Sequence, residues 1–103
     1  MGKKAAIRSL IVSVSLVSYH KMLHEKGDRP EAKRHLEDEI RNYSADAFEK
    51  AQEYKWSHDE LQEIREKSVK RTAKILKNKY PDIKFTDAEI KEKVVDTMQE
   101  FLL

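Results

Sequence analysis

Apolar residues recur every three or four positions along most of this chain. Ala32, Leu36, Ile40, Tyr43, Ala47, Ala51 and Tyr54 fall on one stripe, which Phe48 widens. Leu61, Ile64, Ser68, Thr72, Ala73, Leu76 and Tyr80 form a second, and Ile90, Val94, Met98 and Phe101 a third. A period of 3.6 residues puts such positions on one side of a helix, where they are buried together while polar side chains stay in water. The pattern predicts three amphipathic helices, and neither an internal repeat nor a low-complexity tract interrupts it.

The intervals between stripes carry the residues that start and stop helices. Ser57 and Glu60 have the spacing of a capping box, with Trp56 and Leu61 placed as a hydrophobic staple across it. Thr86 and Glu89 repeat the arrangement, with Phe85 and Ile90 as staple, after Tyr80 and Pro81 end the preceding helix. Gly27 is suited to a left-handed helix C-terminus, and Lys21, His24 and Lys26 before it complement the dipole. Asp28 is available as a cap, and Pro30 fits the first turn of the next helix, where its missing N–H is not needed.

The first two dozen residues are ambiguous. Leu10, Val12, Val14 and Leu16 alternate with Ser9, Ser13 and Ser15, the grammar of a strand. No second strand is available to pair with it, and an unpaired strand leaves its backbone donors and acceptors unmet. As a helix, the segment has two apolar seams: Ile7, Leu10, Ile11, Val14 and Val17 on one side, Val12, Leu16, Tyr19 and Leu23 on the other. Such a helix must be covered on both faces. Either it runs through the middle of the other three, or one seam meets a partner or a second copy. The serines on its remaining surface are small enough to permit close helix approach.

At 103 residues the chain has the size of one domain, residues 1–103, with no long linker. Its 39% charged content against 39% apolar matches thin helices with wide solvated faces and a narrow core. A narrow core favours association, because small domains bury less of their surface when they fold alone. The absence of cysteine excludes disulfides, thiolate chemistry and Cys-based zinc sites, and points to a soluble cytoplasmic protein. The apolar run from Ala5 to Val17 is too short and too hydroxylated to span a bilayer. Tyr19, His20 and Lys21 stand where a signal-peptide cleavage site would need small residues, and Ala6 stands where myristoylation wants Ser or Thr. Net charge is +2, distributed as +4 over residues 1–27, −2 over 28–56, +3 over 57–80 and −3 over 81–103. Alternating sign suits neighbouring helices that attract one another.

Three features bear on chemistry. Lys67, Lys70, Arg71, Lys74 and Lys77 lie opposite the apolar stripe of the third helix, a row able to neutralise successive phosphates. Glu63 and Glu66 sit four residues before Lys67 and Lys70, so ion pairs along a solvated face account for part of the row, and no aromatic residue is interleaved for base stacking. His20 and His24, one turn apart, could reach one metal ion, yet a site needs a third ligand such as His35 from across the Gly27 turn; His58 is read as solvated. Glu60 and Glu63, with Glu89, Glu92 and Asp96, resemble the metal-binding acids of all-helical nucleotide pyrophosphohydrolases. The resemblance implies a metal-dependent enzyme, but the last spacing is four where that family has three, and capping already employs Glu60 and Glu89.

The sequence therefore predicts an all-α antiparallel bundle of about four helices, completed by oligomerisation, with no catalytic residues, cofactor or metal. It predicts an adaptor, inhibitor or assembly component that docks a protein partner or a second copy through Ile7, Leu10, Ile11, Val14 and Val17. The alternative is a nucleic-acid-binding regulator using the basic face of the third helix.

Overall fold

The computed structural model describes residues 2–26 and 30–103, without the side chains of residues 30–33 and 36. The caps expected at Gly27 and Asp28, and the Ala32 and Leu36 positions of the second stripe, lie outside the described residues. Four helices are seen among the described residues: α1 (Lys3–Lys26), α2 (Pro30–Gln52), α3 (His58–Lys79) and α4 (Asp87–Glu100). The serine-alternating segment is thus helical throughout, as the lack of a pairing strand requires.

Ser57 caps α3 as expected. Its hydroxyl accepts from the Glu60 N–H at 3.1 Å, and the Ser57 N–H donates to the Glu60 carboxylate at 2.9 Å. Thr86 likewise accepts from the Glu89 N–H at 3.1 Å, but there the return contact runs from the Thr86 hydroxyl to the Glu89 carboxylate at 3.2 Å. Trp56 and Phe85, the outer residues of the two staples, are half-buried against the core.

Successive helices alternate in direction, so the expected antiparallel bundle is formed. Lys50 of α2 reaches Ser9 of α1 at 2.6 Å while Glu37, near the other end, meets His24 at 2.8 Å. α3 then runs parallel to α1, from Lys3–Glu60 at 2.7 Å through Ser15 and the Ser68 carbonyl at 3.4 Å to the Tyr19 and Tyr80 rings, 6.5 Å apart. α4 returns along both α1 and α3. The arrangement is not a square: α1 packs against each of the other three, while α2 packs substantially on α1 alone.

The central position of α1 is what its two seams demand. Leu10, Val14 and Val17 are 0% exposed, Ile7 8% and Ile11 9%, and Tyr19 and Leu23 of the other seam are buried too. Each fully enclosed aliphatic side chain contributes about 1.5–3 kcal/mol. From the other helices come Ala47 and Ala51, Ile64 and Leu76, and Ile90, Val94, Met98 and Phe101. Two stripe positions differ from expectation: Tyr43 and Phe48 of α2 stay 36% and 43% exposed, because α2 has a neighbour on one side only.

Small hydroxyl residues let the helices approach closely. Ser15 donates to the Ile11 carbonyl at 2.6 Å, Ser18 to the Thr97 hydroxyl at 3.2 Å, and Thr97 to the Lys93 carbonyl at 2.8 Å. Ser68 and Thr72 of α3 are also fully buried, yet their hydroxyls have no partner among the described residues. Around this seam the alternating charges meet: Lys21 pairs with Glu100 at 2.6 Å, Lys26 with Glu89 at 2.8 Å, and Lys93 with Glu25. Such surface pairs contribute about 0–1 kcal/mol each, so they orient α4 more than they hold it.

Three outcomes follow from this packing. Leu10→Ala lowers unfolding free energy by about 2–5 kcal/mol in urea titration, whereas Phe48→Ala changes it by less than about 1 kcal/mol. Ser68→Ala combined with Thr72→Val raises the unfolding free energy by on the order of 1–3 kcal/mol for each unmet hydroxyl removed, read as a higher thermal midpoint; an unchanged or lower midpoint would mean that the hydroxyls are paired. The third concerns pH. The Lys3 ammonium and the Ser57 N–H hold Glu60 below the usual carboxylate range, and the Lys26 ammonium and Thr86 hold Glu89 below it. Folding thus favours their charged forms, and the stability they contribute is complete above the ordinary value of 4.5 and is lost as pH falls through the lowered values. Urea unfolding between pH 5 and pH 3 should therefore show a steeper loss for the unaltered chain than for Glu60→Gln/Glu89→Gln.

Candidate functional site

The five residues expected to form a docking seam, Ile7, Leu10, Ile11, Val14 and Val17, are interior residues of a single chain. This corrects the expectation of a free apolar face on α1. The periodicity was that of a helix enclosed by its own neighbours; Leu10, Val14 and Val17 are closed off completely, and only the edges of Ile7 and Ile11 reach a groove between α1 and α3.

His20 and His24 do not converge either, each being held by a different carboxylate of α2. The His20 ring is buried, with Nδ1 2.5 Å from the Leu16 carbonyl and Nε2 paired with Glu39. Nε2 of His24 is instead held by Glu37 at 2.8 Å, and His35 reaches the other oxygen of Glu39 at 2.9 Å. Beside this group burial raises the Tyr19 phenol above its ordinary value, with Tyr80, Glu39 and Tyr43 adding to the effect. The contacts fasten α2 to α1. Among the described residues no cluster of three or more His, Asp or Glu side chains is arranged to hold a metal ion.

The acids that resemble a metal-binding set are dispersed. Glu60 and Glu63 line a groove between α1 and α3, where Glu60 is bound by Lys3 at 2.7 Å and Glu63 by Lys67 at 2.9 Å. Glu89 and Glu92 line a separate recess beside Met22 and Phe85. Because α3 and α4 are antiparallel, their two N-termini, and hence these two pairs, stand at opposite ends of the bundle.

The basic row is brought together as the spacing implies. Lys67, Lys70, Arg71, Lys74 and Lys77 are all exposed on the outer side of α3. Lys67, Lys70, Lys74 and Lys77 make one stripe about 15 Å long at a rise of 1.5 Å per residue. Of the two ion pairs that would neutralise it, Glu63–Lys67 forms. The Glu66–Lys70 pair does not form, and the Glu66 carboxylate instead accepts from Gln62 at 3.1 Å. Lys70, Arg71, Lys74 and Lys77 have no ion-pair partner among the described residues. From 65 to 79 this helix carries seven Lys or Arg against Glu66 alone. A shallow groove between α3 and α4, with space for about 380 Å³, brings Arg65 and Lys91 beside Lys70 around Val69, with Glu66 among them.

At its C-terminal end the stripe runs onto a second groove, of about 670 Å³, roofed by the connection from α3 to α4. Lys77 and Lys84 stand on its rim, Tyr80 and Phe85 form its walls, and Leu76 and Ile90 are buried beneath. Sequence reasoning placed Tyr80 on a stripe and Phe85 in a staple, and missed that the two face one recess. The available signal was the density of apolar residues in the connection itself, with Tyr80, Pro81, Ile83 and Phe85 within six positions.

Comparison with known protein families, with curated proteins and with solved structures returns no match for this chain, so the geometry of its surface carries the functional argument.

Proposed function

We propose that this chain is a non-catalytic binding protein whose ligand is a nucleic acid, gripped through its phosphates by Lys67, Lys70, Arg71, Lys74 and Lys77. The observation that carries the reading is the row of exposed cations on α3, four of which have no carboxylate partner among the described residues. The helix backbone is already fixed, so meeting a polyanion orders side chains alone, and each phosphate they neutralise releases condensed counterions, which drives association. Arg65 and Lys91 widen the positive surface across the groove to α4. A protein partner seated on α1 fits less well, because the apolar seam that would receive it is already covered.

The expected behaviour is binding in the micromolar range at low salt that falls steeply as salt rises, by about 0.7–0.9 in log affinity per log salt for each phosphate contacted. Charge reversal by Lys70→Glu/Lys74→Glu should abolish most of the affinity and flatten the salt dependence. Arg41→Glu, on the exposed side of α2, should leave both nearly unchanged. Electrophoretic mobility shift with duplex and single-stranded oligonucleotides reads both quantities. Failure of the unaltered chain to bind either form at low salt would remove this function.

A further inference from the structure

Building on that reading, we infer that the preferred ligand is a single strand, one of whose bases enters the groove between α3 and the α3–α4 connection and stacks on Phe85 and Tyr80. The basic stripe alone would serve duplex and single strand alike, since it meets only phosphates. What distinguishes them is the place where the stripe ends. Lys77 belongs both to the row of cations and to the rim of the groove, so a backbone followed along α3 is delivered to the mouth of an apolar recess. A duplex cannot use that recess, because its bases are stacked and paired inside.

The recess has the features a base requires. Its space of about 670 Å³ lies within the range of small-molecule clefts, which are mainly apolar with a few polar groups at the edge. Phe85 is the wall between this groove and a smaller recess on its other side, where the Lys26 ammonium sits 4.6 Å from the ring centroid. The same ammonium holds the Lys84 carbonyl at 2.8 Å and Glu89 at 2.8 Å, so the ring is braced from behind and the connection that carries it is fixed. Tyr80 is half-buried, with one neighbouring ring, Tyr19, 6.5 Å away. Lys84 also lines the groove and supplies a second cation beside Lys77 for the phosphates that flank an inserted base. The acids on the rim are at the α4 side. Glu89 is neutralised by Lys26, which leaves Asp87 to repel phosphates from that edge and to direct the strand along the α3 edge. Stacking on an aromatic face tolerates any base, so the surface selects strandedness rather than sequence.

The test is fluorescence anisotropy at low salt with three labelled probes about 12 nucleotides long: a single strand, its duplex, and a strand of abasic sites with the same phosphates. The single strand should bind about tenfold more tightly than the abasic strand. Phe85→Leu, which keeps an apolar side chain but removes the stacking face, should erase most of that advantage without changing the salt dependence, and Tyr80→Leu should do the same in part. Lys70→Glu/Lys74→Glu should weaken all three probes together. Equal affinity for base-bearing and abasic strands, or an advantage that survives both aromatic substitutions, would overturn base insertion while leaving phosphate binding in place. Absence of binding to all three probes would overturn both. The abasic comparison uses the unaltered chain and so does not depend on the folding of any variant.

Discussion

Enclosure of α1 by the other three helices is the constraint from which the rest of the structure follows. A helix apolar on two opposite sides cannot lie on a surface, and here it becomes the axis against which α2, α3 and α4 are laid. That choice makes the core narrow, because one helix diameter separates the two layers of partners. It also explains why serine and threonine are tolerated inside. Ser15, Ser18 and Thr97 let backbones approach more closely than leucine would, and each finds an acceptor within the seam. Ser68 and Thr72 share the steric advantage without the compensating hydrogen bond.

The same constraint divides labour over the molecule. Folding draws on the inward side of α3, through Ile64, Ser68, Thr72 and Leu76, while the outward side is left to the cations. Of the acids nearby, Glu60 is neutralised by Lys3 and Glu89 by Lys26, Glu63 pairs with Lys67, and Glu66 keeps its charge beside the row while accepting from Gln62. Positive charge on α3 persists because its bases outnumber the acids that pair with them. Lys70, Arg71, Lys74 and Lys77 therefore face water without an ion-pair partner among the described residues, the condition a phosphate-binding surface needs.

Much of the fold was legible from residue order, for physical reasons that stop at the edge of each helix. Stripes, caps and staples are local, so the three later helices and their starts at Ser57 and Thr86 could be read directly. The two seams of α1 were legible as well, but periodicity reports which positions need cover and not what supplies it, and here the chain itself did. Tyr43 and Phe48 matched the stripe of α2 and stay half in water, because amphipathic spacing does not count a helix's neighbours. The site was legible in halves. Lys67 to Lys77 declare themselves in sequence, whereas Tyr80 and Phe85 join them only once Pro81 turns the chain back and closes a recess.

Among the described residues α2 differs from the other helices in resting substantially on α1 alone. Its contacts with α1 are more extensive than those of any other helix pair, so departure of α2 would have to break that whole face at once, together with the His20–Glu39 and His24–Glu37 contacts. On the α1 side of that joint Ser9 is held by Lys50 and His20 by Glu39, whereas the cations of α3 take no part in it. The joint between α1 and α2 and the charged edge of α3 thus share no side chain, and a change at one can leave the other in place.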